Sequence, residues 1–171
     1  METTLARTIA ERLHANELDP DGAPRLDHIA RVARDTPAEA QAIAWLHEAL
    51  DRGAATEHEL LAAGVSGDEL RALRLLSWPS WTRSDAMYLA HTRLIAQAAG
   101  WSGRAARMVA VADLRDRARR RRDRAGDWSP PYDESLRLLL DASAGDTGAP
   151  PVRTRTTALP PRRIPAPSPA R

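Results

Sequence analysis

The sequence predicts an all-α protein, an irregular bundle of about eight short helices followed by a disordered C-terminal tail. Three observations carry this. Apolar residues recur at three- and four-residue spacing through most of the chain, as on one face of a helix. Helix-start and helix-stop residues punctuate those stretches again and again. No segment shows the alternation of a half-buried strand. A length of 171 residues suits one domain plus a tail and is enough to bury a real core.

The first apolar stripe is Leu5, Ile9 and Leu13, and a second, starting near Pro24, is Leu26, Ile29, Val32 and Ala33. In TPAEAQAIAWLHEALDRG, Thr36 and Glu39 have capping-box spacing, Pro37 takes the first helical position and Gly53 ends the helix. TEHELLAAG repeats this grammar with Thr56, Glu59 and Gly64, and SGDELRALRLLSWP repeats it with Ser66, Glu69 and a stop at Pro79. A longer helix is expected from about Ser84 to Gly100, through Met87, His91, Leu94, Ile95 and Ala98. The seventh begins after Ser102 and runs through RAARMVAVADLRDRARRRRDR. The last follows Ser129-Pro130-Pro131 and carries Leu136, Leu139 and Leu140. There is no internal repeat. Short helices of differing phase make an irregular bundle rather than a coiled coil.

Composition narrows the class. All 25 basic side chains are arginines, with no lysine and no phenylalanine, which resembles the usage of high-GC bacterial genomes more than it reports a function. The absence of cysteine excludes disulfides and thiolate metal sites and fits a reducing cytoplasm. No apolar run approaches the roughly 20 residues of a membrane span, and METTLARTIAERLH does not read as a signal peptide, so a cytoplasmic protein with no membrane partner is expected. The net charge of +2 is unevenly spread. Residues 143–171 hold Arg153, Arg155, Arg162, Arg163 and Arg171 against Asp146, about +4, which leaves about −2 for residues 1–142. The folded part is near neutral, so its charge does not mark a nucleic-acid binder. GDTGAPPVRTRTTALPPRRIPAPSPAR has almost no large apolar side chain and too little surface to offset its ordering entropy. The expected organisation is a helical domain over 1–142 and a Pro/Arg-rich tail over 143–171.

Polar residues on apolar faces are the informative ones. Ala40, Ile43, His47 and Leu50 share one face of the third helix, which places His47 at the core with Glu48 beside it. His28 lies two residues after Leu26 and four before Val32, at the core edge. Asp113 emerges from MVAVA, four residues after Val109. Taken singly, a core-facing histidine is a hydrogen-bonded structural residue, Glu48 a solvated helix residue, and Asp113 an acid paired with an arginine such as Arg117. Taken in order, they are imidazoles and carboxylates on three separate helices, which is how bundles build metal sites. Adjacent helix residues point about 100° apart, so His47 and Glu48 share an ion only at a helix edge covered by a neighbour.

These segments resemble the HD-domain metal-dependent phosphohydrolases, and most closely the small alarmone (guanosine polyphosphate) hydrolase branch. DPDGAPRLDHIARVA resembles the family's first-histidine segment, and AEAQAIAWLHEALDRG its helix ending in a His-Asp doublet and a Glu-Asp pair. ELLAAGVSGDELRALRLLS resembles the following helix pair, and ARMVAVADLRDRARR the segment that supplies the last metal ligand. WSPPYDESLRLLLDA resembles the final helix. The resemblance covers roughly residues 8–140. It implies that His28, His47, Glu48 and Asp113 hold a divalent metal, usually manganese. It also implies that Asp51 and Arg52 stand at the catalytic positions of the water-orienting Glu-Asp pair, and that Arg117 lies where the family has an asparagine near the nucleotide. The implied activity is metal-dependent hydrolysis of a nucleotide or a guanosine polyphosphate-like phosphate ester. Departures from the pattern set the alternative. Glu48 replaces an aspartate with a stem about 1.5 Å longer, Asp51 is shorter than the family's acid, and Arg52 reverses a charge. HANELDPDG lacks the basic residues expected before the first ligand. The alternative is therefore a catalytically inactive HD-fold protein that binds a nucleotide, an RNA or a protein partner.

Weaker features remain. RDRARRRRDRAG reads as a solvated helix end complementing the helix dipole, or as a phosphate or RNA contact. Trp78, Trp81, Trp101 and Trp128 fall near helix ends, where they cap a core or offer stacking surfaces. His14, His58 and His91 show no partner in the sequence. Deleting residues 146–171 is expected to move the melting temperature by no more than about 2 °C, because the tail has little apolar area to bury. A larger fall in a thermal melt would mean that the tail docks on the domain.

Overall fold

The computed structural model describes residues 1–78, 84–121 and 131–145. Eight α-helices form among them: α1 (Thr3–Leu13), α2 (Arg25–Asp35), α3 (Gln41–Leu46), α4 (Glu57–Ala62), α5 (Gly67–Leu76), α6 (Asp85–Gln97), α7 (Gly100–Arg121) and α8 (Tyr132–Ala144). No strand forms among the described residues. A single antiparallel bridge, Leu18 to Pro24, closes the loop between α1 and α2. The all-α expectation therefore holds. α8 runs two residues past the expected boundary at 142, while the tail from 146, Pro79, Trp81 and Trp128 lie outside the described residues. No helix among the described residues is long and apolar enough to cross a membrane.

Two of the three expected capping boxes are present. Thr56 and Ser66 accept from the backbone N–H of Glu59 and Glu69, whose side chains accept in return. The third does not form. Thr36 ends α2 instead, its hydroxyl buried against the last turn of that helix and donating to the Val32 carbonyl at 2.8 Å, and no side-chain cap bond starts the next helix. The single long helix expected from Pro37 to Gly53 is correspondingly broken. A 3-10 turn over Ala38–Ala40 leads into α3, which stops at Leu46, and a second 3-10 turn spans Asp51–Gly53. The His47-Glu48 doublet thus sits at the end of a short helix, where the chain tightens through bonds from Ala49 N–H to Leu46 and from Asp51 N–H to Glu48.

α7 is the central element. It packs against α2, α3, α5, α6 and α8. Ala105, Ala106, Val109, Ala110, Ala112 and Leu114 are all buried, and their small side chains let neighbouring helices approach closely. Around it Val32, Ile43, Leu46, Leu60, Leu73 and Leu139 complete the core. The remaining side of α7 is also buried yet polar, with Asp113 and Asp116 facing α2 and α3.

The junction into α7 depends on glycine. Gly100 has φ +74°, and a Cβ on Gly103 would lie 2.0 Å from the Ala98 carbonyl oxygen. Buried Arg107 fastens the same corner by donating to the carbonyls of Ala96 at 3.2 Å and Ala98 at 2.6 Å. Gly103→Ala is expected to destabilise the fold by about 1–3 kcal/mol in a urea melt through overpacking. Gly145→Ala, whose Cβ would meet nothing nearer than 3.6 Å, should leave the midpoint almost unchanged.

Candidate metal centre

α2, α3 and α7 bring His28, His47 and Asp113 together. One ligand atom from each lies within 4.8 Å of the others, and all three residues are buried. The Nδ1–H of His47 donates to the Ala44 carbonyl at 2.7 Å. That bond leaves its Nε2 as the lone-pair nitrogen, turned toward Asp113 Oδ1 at 3.9 Å. Among the described residues this Nε2 is buried without a hydrogen-bond partner. The His28 ring, 5.4 Å from that of His47, is held from behind in the same way. Its Nδ1–H donates to Asp116 at 2.8 Å, and its Nε2 lies 3.0 Å from Asp113 Oδ1. An imidazole whose far nitrogen is anchored on an oxygen is the usual support of a metal-ligating histidine. Two imidazoles and a carboxylate of this kind have the donor types and spacing to hold a metal ion.

Arginines fill the rest of the site. Arg117, one turn beyond Asp113, donates from Nε to both its oxygens at 2.8 and 3.0 Å, and from a terminal nitrogen to Glu48 at 2.7 Å. Arg25 holds the other oxygen of Glu48 and also reaches Glu17 at 2.9 Å. Arg31 clamps Asp116 through two bonds of 2.7 and 3.1 Å.

The electrostatics follow from this packing. Burial opposes the ionised form of Asp113, but Arg117 and His28 outweigh it and hold the carboxyl well below the usual range. Glu48 is held down at about 2, its burial outweighed by the His47 imidazole, Arg117, His28 and Arg25. Burial pushes His47 itself below the usual imidazole range. His28 is raised to about 9 despite burial, because Asp113 and Asp116 both accept from its ring. The Arg117 nitrogen 3.3 Å from its Nε2 is then a like-charged neighbour that opposes this rise. Burial raises Asp51 against the 2.7 Å bond it accepts from Ser77.

All four residues expected at the metal lie in this one cluster, with Glu48 3.8 Å from His28 Nε2, although both Glu48 oxygens are bonded to arginines. Asp51 faces an inner cavity shared with His47, Glu48, Asp113 and Arg117. Arg52 contributes backbone to the Asp51–Gly53 turn, and its side chain lies outside the described residues. Arg117 also borders an outer cleft of about 220 Å³ with Asp19, Asp21, His28, Asp116, Arg120 and Tyr132. Asp113 pairs with Arg117, as its reading taken singly expects, and it also lies beside the two histidines. Sequence reasoning missed Asp116, Arg25 and Arg31. The signal for Asp116 was its place one helical turn after Asp113. Arg25 likewise precedes His28 by three residues, and it supplies a cation where HANELDPDG showed only acids. His91 and His14 do have neighbours. His91 Nε2 donates to the Leu75 carbonyl at 2.9 Å and its ring lies on Trp78, and His14 Nδ1 is 3.2 Å from Glu17. In the basic run, Arg119 and Arg120 are bonded to Asp35, Asp19 and Asp21.

No family model matches the chain, and no curated protein matches it either.

Asp116 anchors both His28 and Arg31, so Asp116→Ala strands a buried imidazole and half of an ion pair. It is expected to destabilise the protein by about 3 kcal/mol in chemical denaturation, as does breaking other buried pairs. Asp133→Ala, at the exposed start of α8, should change stability by no more than about 0.5 kcal/mol.

Proposed function

We propose that the protein is a metal-dependent phosphohydrolase of the HD type, acting on a nucleotide or a guanosine polyphosphate-like phosphate ester. The observation that carries this reading is the partnerless Nε2 of His47, buried and aimed at His28 and Asp113 among the described residues. A buried polar atom without a partner is costly, and a cation is the partner this donor set fits. His28, His47 and Asp113 would hold the ion, with Glu48 beside them. A divalent metal, taken here as manganese from the family resemblance, supplies a polarised phosphate oxygen and an acidified water when bound. The chain's own groups serve the rest of the reaction. Asp51, oriented by Ser77 and raised by burial, is placed at the inner cavity to accept a proton from a water. Arg117 borders the cleft beside Arg120, and its guanidinium could pair with a phosphate there.

One observation favours the alternative, a protein of the same fold that binds a phosphate ligand without turning it over. Glu48 has both oxygens committed to arginines, so it is less available as a ligand than a free acid.

Calorimetric titration with manganese, paired with phosphate release from guanosine tetraphosphate, separates the two. The enzyme reading expects a single manganese site that His47→Ala abolishes, and phosphate release that requires the metal. Nucleotide binding with no phosphate release would support the alternative. Absence of manganese binding in both wild type and an Arg117 variant would overturn the metal reading.

A further inference from the structure

The Arg117 guanidinium lies on the same acceptors that a cation at this site would use. It spans both oxygens of Asp113 and one of Glu48, and it stands 3.3 Å from His28 Nε2. The buried carboxylates already have cations beside them. Glu48, Asp113 and Asp116 face Arg25, Arg31 and Arg117, with the His28 imidazole among them. A divalent ion added with all three guanidiniums in place would meet like charge in a buried setting, which is unfavourable. Arg25 holds the Glu48 oxygen that Arg117 does not, and Arg31 holds both oxygens of Asp116. Arg117 alone of the three bonds Asp113, and so it is the cation an incoming ion must move.

We propose that Arg117 is a built-in competitor for the metal: its guanidinium lies on the carboxylate side of the site and swings into the outer cleft when a divalent ion binds. This inference rests on the metal-binding reading above. The path is short. The Arg117 side chain is 36% exposed and borders both the inner cavity, with Glu48, Asp51 and Asp113, and the cleft, with Asp19, Asp21 and Tyr132. Rotation about its own stem carries the charge from one to the other without moving α7. Two functions are thereby tied together. Removing the guanidinium from Asp113 opens the metal site, and the same movement presents a cation to an anionic ligand in the cleft.

The test is a manganese titration of the full-length protein by calorimetry, with cobalt absorption as an independent report on coordination. Arg117→Met removes the charge and keeps most of the stem. It is expected to tighten manganese binding by about tenfold or more, the scale of a coupling between two ligands that exclude each other. Its metal-free melting temperature should fall, and manganese should restore it. Arg117→Lys, which keeps the charge, should bind manganese nearly as weakly as wild type. Arg117→Gln gives the same comparison as the methionine variant should that one not fold. If wild type binds manganese, His47→Ala does not, and loss of the Arg117 charge leaves affinity unchanged or weaker, the displacement is wrong and the metal site stands. If neither wild type nor the uncharged variants bind manganese or cobalt, the displacement and the metal reading fall together.

Discussion

Asp113 and Asp116 lie one turn apart on the most enclosed helix of the bundle, and an ionised carboxylate can stay in such a place only if cations are brought to it. Much else in the structure answers that requirement. α2 supplies His28 and Arg31 to Asp116, and α7 supplies Arg117 to Asp113. Glu48 at the end of α3 joins the set through Arg117 and Arg25. The three helices are clamped by charge at one end and by small apolar side chains at the other. The interactions that stabilise the bundle are therefore the ones that make the site, and a change at either carboxylate is felt in both.

The alanine-rich face of α7 is the other half of this arrangement. Ala105, Ala106, Ala110 and Ala112 bring α2, α3, α5 and α8 close to its axis. Close approach is what allows side chains from separate helices to meet within a few ångströms. The early end of α3 matters equally. His47 spends its Nδ1–H on the Ala44 carbonyl, the acceptor a continuing helix would offer to the next turn, and the chain tightens there. The same bond fixes the tautomer that turns Nε2 toward Asp113. A local helix ending and the chemistry of a ligand are set by one hydrogen bond.

Glu48 and Arg117 make sense together in this setting. Glu48 reaches two arginines, and Arg117 reaches both that acid and Asp113. Without Arg117, Asp113 and Glu48 would each lose a cation, and without Glu48, Arg25 and Arg117 would each lose a buried acceptor.

The sequence by itself determined the helical class, the two capping boxes at Thr56 and Ser66, and the candidates His28, His47, Glu48 and Asp113. Those features are local, or periodic along one helix, and the chemistry of neighbouring residues along the chain is enough to specify them. Tertiary structure alone decided the fate of Thr36, which closes α2 rather than starting a new helix, because its hydroxyl is buried against the last turn of α2. It decided that Arg25 and Arg31 belong to the site as well. Their partners Glu48 and Asp116 lie 23 and 85 residues away in the chain, and no sequence spacing reports a contact across that distance. Above all it decided that Arg117 binds Asp113 and Glu48 together. Spacing of four residues on α7 foretells the first contact, but the second needs α3 packed against α7, and burial strengthens both bonds.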